Sequence, residues 1–145
     1  MQQVEASAEV PASADEIFAY VAEPANLPAW MSGIVSAEQT TLGPMGVGTT
    51  ARVVRELMGQ RFAADLKVTS FDPPRRLGLT TTVQGIRADA SLDLVPHEAG
   101  AGLRFAMQIA AANVFMKPLE GIVAQAAQQD VAESLTRLAK VFANR

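Results

Sequence analysis

The sequence predicts an α+β domain in which a curved antiparallel sheet of about seven strands wraps around one long C-terminal helix. Three observations carry this prediction. Most of the chain from Ile34 to Ala111 alternates apolar and polar residues with period two. The breaks between these stretches are short and rich in glycine and proline, and short connections join antiparallel strands. From about Pro118 to Ala143 the apolar residues change to the three- and four-residue spacing of a helix.

The elements follow in order. In Gln2–Val10, residues Val4, Ala6, Ala8 and Val10 share one side and Gln3, Glu5, Ser7 and Glu9 the other, as in a half-buried strand. Pro11 ends it. Ser13 and Glu16 form a capping box, in which each side chain satisfies a backbone N–H at a helix start, and Ile17, Phe18 and Val21 supply the apolar side. Pro24 stops that helix. Asn26 caps a second short one that carries Leu27 and Trp30 and ends near Gly33. Strands are then expected at about Ile34–Thr41, Thr49–Leu57, Arg61–Phe71, Arg76–Val83, Ile86–Val95 and Leu103–Ala111. Between them lie the Gly43-Pro44-Met45-Gly46 connection, a Met58-Gly59-Gln60 hairpin, the rigid Asp72-Pro73-Pro74 turn, the tight Gln84-Gly85 turn and a Gly100-Ala101-Gly102 loop. In the last helix Leu119, Ile122, Val123, Ala126, Ala127, Val131, Leu135, Leu138 and Phe142 are expected to face the sheet, with Glu120, Gln128, Glu133, Arg137 and Lys140 largely on the other side. The 145 residues form one expected domain, 1–145, with no repeat and no linker.

Composition narrows the function classes. The chain has no cysteine, which rules out disulfides, thiolate nucleophiles and thiolate metal sites. His97 is the only histidine, so no His pair exists for zinc and no serine has a credible base. It is expected in a solvent-exposed loop. No cofactor is expected: Gly43, Gly46 and Gly48 precede a strand, where a phosphate-binding loop requires a helix. The net charge of −3 and the scattered basic residues lack the clustered footprint of a nucleic-acid binder. No apolar run approaches the ~20 residues of a membrane span, so no integral membrane segment is expected. Met1 to Glu9 hold no basic patch and no apolar block, and the expected location is cytoplasmic.

Several local motifs, in this order, resemble the START-like (SRPBCC, helix-grip) superfamily, in particular its bacterial polyketide cyclase/dehydrase-type proteins. Val10-Pro11-Ala12-Ser13-Ala14-Asp15-Glu16-Ile17-Phe18 is similar to that family's first strand and first helix. Glu23-Pro24-Ala25-Asn26-Leu27-Pro28-Ala29-Trp30 resembles its second helix with the recurrent tryptophan, and Gly46-Val47-Gly48-Thr49 resembles the start of its third strand. Val68-Thr69-Ser70-Phe71-Asp72-Pro73-Pro74-Arg75-Arg76-Leu77 resembles its strand, double-proline turn and strand. The resemblance covers nearly the whole chain. It implies the helix-grip fold, with two short helices between strands one and two, and a space between sheet and helix. The fold hosts lipid carriers, hormone receptors, cyclases, hydrolases and chaperone activators, so the resemblance transfers no catalytic residue.

Alternation defines the expected inner face. It holds Phe62, Ala64, Leu66 and Val68; Leu77, Leu79, Thr81 and Val83; Ile86, Ala88, Ala90, Leu92 and Leu94; and Leu103, Phe105, Met107 and Ile109. All but Thr81 are apolar. Ala64, Ala88 and Ala90 are expected to oppose Ala126 and Ala127, which leads either to close dry packing or to a void that a ligand would fill. Trp30 and Met31 either line the mouth of that space or anchor the second helix to the sheet. Phe115 and Met116 either gate it or cap the core. The phase of the strand around Arg55 and Glu56 is ambiguous because Val53 and Val54 are both apolar. An inward Arg55 suits a ligand carboxylate, an inward Glu56 suits acid or base chemistry, and a bulge or edge would leave both in water. The first functional expectation is a binder of a hydrophobic lipid-, polyketide- or isoprenoid-like molecule. The second is a cyclase, dehydratase or hydrolase using Glu56 and Arg55. The third is an interaction module of chaperone-activator type. A homodimer through a strand edge or the short helices is compatible with all three.

Overall fold

The protein is described by a computed structural model that covers every residue except Met58 and Arg145 and the side chain of Leu57. Seven strands form one sheet: β1 (Gln2–Val10), β2 (Ile34–Gln39), β3 (Thr50–Leu57), β4 (Gln60–Asp72), β5 (Arg76–Val83), β6 (Ile86–His97) and β7 (Gly100–Ala111). The order across the sheet is β1-β7-β6-β5-β4-β3-β2, and every neighbouring pair is antiparallel. Helix α1 (Ala14–Val21), a 3₁₀ turn (Pro24–Asn26) and α2 (Leu27–Trp30) lie between β1 and β2. A second 3₁₀ turn (Val114–Leu119) leads into the long α3 (Glu120–Ala143). This is the helix-grip architecture expected from the sequence.

The sheet curves for a local reason. Between β4 and β5 the register shifts at Val68/Ser70, and Gly78 sits opposite the shift. A Cβ on Gly78 would lie 2.9 Å from the Ser70 Cβ, so only glycine lets the two backbones close up there. The bulge keeps both Val68 and Phe71 on the inner side, where Phe71 meets Phe18 of α1 edge-on at 5.4 Å. The core is Ile17, Trp30, Leu77, Leu92, Leu103, Phe105, Leu135 and Leu138, all at most 2% exposed, with α1, α2 and the C-terminal half of α3 covering the sheet.

Some expected boundaries change. Pro96, His97, Gly100, Ala101 and Gly102 belong to strands, because β6 and β7 stay paired out to His97↔Gly100. His97 therefore ends a strand, with its Nε2 3.9 Å from Glu9 Oε1. The Gly100 region has no room to be a free loop: a Cβ on Gly100 would lie 2.1 Å from the Val10 carbonyl oxygen. Ser13 caps α1 as expected, accepting from the Glu16 N–H at 3.2 Å, but the Ser13 hydroxyl itself donates to Glu16 Oε1. Asn26 makes no cap bond; it donates to the Tyr20 carbonyl, and Glu23 caps the following turn by accepting from the Ala25 N–H. The hairpin expected at Met58-Gly59-Gln60 includes Met58, which lies outside the described residues.

Two outcomes check this packing. Leu138→Ala removes a side chain with no exposure from the helix–sheet contact and is expected to cost about 2–5 kcal/mol in urea unfolding. Gly100→Ala is expected to lower the melting temperature as strongly as a core truncation, because its Cβ meets backbone rather than a movable side chain.

Candidate functional site

Helix α3 divides the inner side of the sheet into two flanks. Along β1 it is held by one amide: Gln128 Nε2 donates to the Glu5 carbonyl at 2.7 Å, and the Glu5 N–H donates to Gln128 Oε1 at 3.2 Å. This pair repeats what a neighbouring strand would offer the free edge of β1. At its start, buried Glu120 accepts from the Ala111 N–H at 2.8 Å and meets the Met1 ammonium at 2.6 Å and Lys117 at 3.8 Å. Farther along, the Ser32 N–H donates to Ser134 Oγ at 2.8 Å, and Ser134 Oγ donates to the Asp130 carbonyl at 2.7 Å.

On one flank, a groove of about 540 Å³ runs between β1 and the C-terminal half of α3, walled by Ala6, Ala8, Ala132 and Ala139. On the other flank, α3 presents Val123, Ala127 and Asp130 toward the inner face of β3–β6. These three recur at four and three residues and share one side of the helix. Sheet residues Phe62, Thr81, Val83, Ala88, Ala90 and Met107 are only half-buried here, which leaves this part of the inner face as a partly open, mostly apolar cleft. Beneath α1 and α2 the same face is packed. The void remaining there, beside Leu27, Leu66 and Leu79, is about 30 Å³, one water molecule's share of volume.

Arg55 is the charged group of the cleft. Val53 and Ala51, two and four residues earlier, are buried, and Arg55 continues that side, directly across from Phe62. Its Nη2 meets Asp130 Oδ2 at 3.5 Å, which bridges sheet to helix over the cleft. Ser32 Oγ completes the cluster, 3.5 Å from Asp130 Oδ1 and 3.0 Å from Glu133 Oε2. Burial raises the Asp130 carboxyl above its ordinary value. Arg55 and the Ser32 hydroxyl pull it back, and the neighbouring Glu133 charge adds to the rise. Glu56 points to the opposite side, exposed, and pairs with Arg61 at 3.3 Å.

The expected site residues divide into three sets. Phe62, Thr81, Ala88, Ala90, Met107, Val123 and Ala127 are half-buried on the open side, although the Thr81 hydroxyl is already spent on the Asp65 carbonyl at 2.9 Å, while Leu66 and Leu79 line the small void beneath α1 and α2. Trp30, Met31, Leu92, Phe105 and Ile109 are buried in the core. Trp30 anchors α2, its ring 6.2 Å from that of Phe105, and among the described residues its Nε1 is the one buried side-chain polar atom without a hydrogen-bond partner. Phe115, Leu119, Ile122 and Ala126 are exposed. Met116 lies instead against the β5–β6 turn, where a Cβ on Gly85 would come within 2.7 Å of it. The helix is thus turned so that Glu120, Ala124, Ala127, Val131, Ser134, Leu135, Leu138 and Phe142 form its inward stripe. Apolarity alone selected Leu119, Ile122 and Ala126, because it could not see that Glu120 and Gln128 bond to the sheet. Asp130 and Ser32 were missed for the same reason.

The comparisons with known proteins agree with this geometry. The family model described as polyketide cyclase / dehydrase and lipid transport matches residues 1–143. An uncharacterized protein of Mycobacterium tuberculosis is 27% identical over 143 residues, covering 98% of this chain and 99% of its own. A START superfamily protein from Mycobacterium smegmatis superposes with a TM-score of 0.81 at 16% identity, covering 98% of this chain and 97% of its own. The di-domain ARO/CYC protein BexL from the BE-7585A biosynthetic pathway gives 0.78 at 20% identity, over 97% of this chain and 46% of its own. At such identities the two structures establish the fold alone.

Glu120 supplies a pH-dependent prediction. Its hydrogen bond from the Met1 ammonium and that from the Ala111 N–H hold its carboxyl below the ordinary 4.5. A depressed folded value means that its contribution is present above the unfolded value and lost as pH falls through the folded one. Glu120→Gln is therefore expected to melt earlier than the parent protein at pH 7, and the gap is expected to close as pH drops below about 4.5, in thermal melts followed by circular dichroism.

Proposed function

The chain belongs to the polyketide cyclase/dehydrase and lipid-transport family, and from that premise we propose that it binds a lipid-, polyketide- or isoprenoid-like molecule in the cleft between the inner face of β3–β6 and the Val123–Asp130 side of α3. The observation that carries this reading is the set of inward residues, Phe62, Val83, Ala88, Ala90 and Met107, that the fold turns to its helix side yet leaves partly exposed. Apolar surface in a concave, pre-formed position is what a small hydrophobic ligand covers. Each Å² of apolar surface so covered contributes about 25 cal/mol before the costs of association. Small residues at Ala88, Ala90 and Ala127 keep the two walls apart from contact, and Met107 adapts to the shape of what enters.

The acid–base reading loses the residue the sequence offered for it: Glu56 is on the outer face beside Arg61. Asp130 is the carboxylate turned to the cleft, and it is paired with Arg55, which leaves binding as the reading carried by the apolar face. Among the described residues no group of three or more His, Asp or Glu is placed to hold a metal, and no helix is long and apolar enough to cross a membrane.

Two variants test the site. Ala90→Phe fills the cleft and is expected to abolish the saturable thermal stabilisation given by an apolar probe such as dodecanol. Ala139→Phe fills the groove beside β1 and is expected to leave that stabilisation unchanged. The reverse pattern would move the ligand to the groove, and no stabilisation of the parent protein by any chain length would end the proposal.

A further inference from the structure

We propose that the ligand of the cleft ends in a carboxylate, and that Arg55 holds this head while Asp130 gives up its place on the guanidinium. The inference rests on the binding reading above and adds the chemical class of the molecule.

The first observation is the isolation of the charge. Arg52, Arg61, Lys67, Arg76, Arg87 and Arg104 all occupy outward positions of their strands and are exposed. Among the described residues Arg55 is thus the one cation on the inner face of the sheet. An amphipathic molecule lying on Phe62, Ala88 and Ala90 has one place where a negative end is met by charge.

The second observation is how little holds the guanidinium. Among the described residues its polar contact is a single approach of Nη2 to Asp130 at 3.5 Å, long for a hydrogen bond. A guanidinium presents five N–H donors in a planar fork suited to two-point binding of a carboxylate. The Arg55 side chain keeps 23% of its surface exposed and Asp130 keeps 33%, so the pair is reachable from the cleft. Gly33 lies beside the guanidinium, and a Cβ there would stand 3.5 Å from Nη2, so the residue adds no bulk on that side.

The third observation is that Asp130 is itself loosely held. Besides the contact with Arg55 its side chain has the Ser32 hydroxyl at 3.5 Å, whose single proton is shared with the nearer Glu133 at 3.0 Å. The other carboxylates nearby are committed: Glu133 to Arg137 at 3.2 Å and to Ser32, and Glu56 to Arg61 on the opposite face. Asp130 is therefore the one anion an incoming head displaces, and burial already disfavours its charge. The exchange keeps one carboxylate on Arg55, so no cation is stranded in the cleft at any stage.

The test uses dodecanoate and dodecanol, which share a chain and differ in the head. Calorimetric titration of the parent protein is expected to give dodecanoate an affinity at least about tenfold higher than dodecanol, the scale of a charge-assisted bond. Arg55→Gln is expected to erase that ratio, so that dodecanoate and dodecanol bind the variant equally. Asp130→Asn is expected to raise the ratio several-fold, because the competing anion is gone. Melting curves of both variants establish that they fold, and the ratio within each variant is insensitive to a uniform loss of stability. Equal binding of both probes by the parent, an unchanged ratio in Arg55→Gln, or loss of dodecanoate binding in Asp130→Asn overturns the acidic head while leaving the cleft. Failure of both probes to bind the parent overturns the cleft reading together with it.

Discussion

The rotation of α3 about its own axis decides what this fold offers a ligand. That rotation is set by hydrogen bonds at fixed points along the helix: Glu120 to the Ala111 N–H, Gln128 to both backbone groups of Glu5, Asp130 to Arg55, and Ser134 to the Ser32 N–H. Each satisfies a backbone or charged group that would otherwise be costly to cover. Hydrophobic burial is not directional, and by itself it would favour turning the larger Leu119 and Ile122 inward. Hydrogen bonds are directional, and they turn the helix so that those two residues are exposed while Ala124 and Ala127 face the sheet.

The consequence is an asymmetric interior. The C-terminal half of α3 packs Leu135, Leu138 and Phe142 into the core and borders the groove along β1. In the N-terminal half Glu120 and Ala124 are buried and Val123 and Ala127 half-buried, and the inner face of β4–β6 stays partly open. Stability is concentrated at one end of the molecule and binding surface at the other. Arg55 and Asp130 sit at the boundary, where a charge is screened from bulk water without being sealed from it. Such a position gives electrostatic selectivity more effect than it has at a fully solvated surface.

Much of the fold was legible because it depends on local pattern. The two-residue period placed β5 at Arg76–Val83 without error, and the Ser13 cap located the start of α1. The inward direction of Arg55 was also legible, by a signal the strand itself does not carry. The β3–β4 pairing sets position 56 opposite 61 and 52 opposite 65, and both pairs join opposite charges: Glu56 with Arg61 and Arg52 with Asp65. Matching charges across the turn fixes the outer face and leaves Arg55 on the inner one. Within the strand alone, Val53-Val54 hides the phase.

The sequence by itself determined the helix-grip class, the alternation that builds an apolar inner face, and the absence of thiol or histidine-pair chemistry. These follow from periodicity and composition, which each segment carries independently of its neighbours. Only the tertiary structure decided which inner residues are fully buried and which stay partly open, because Leu92 and Met107 read alike until packing buries one and leaves the other half-exposed. It also decided the partner of Arg55. Asp130 lies 75 residues away on a helix whose rotation is set by contacts with β1, β7 and the Ser32 corner, and no local pattern specifies that meeting.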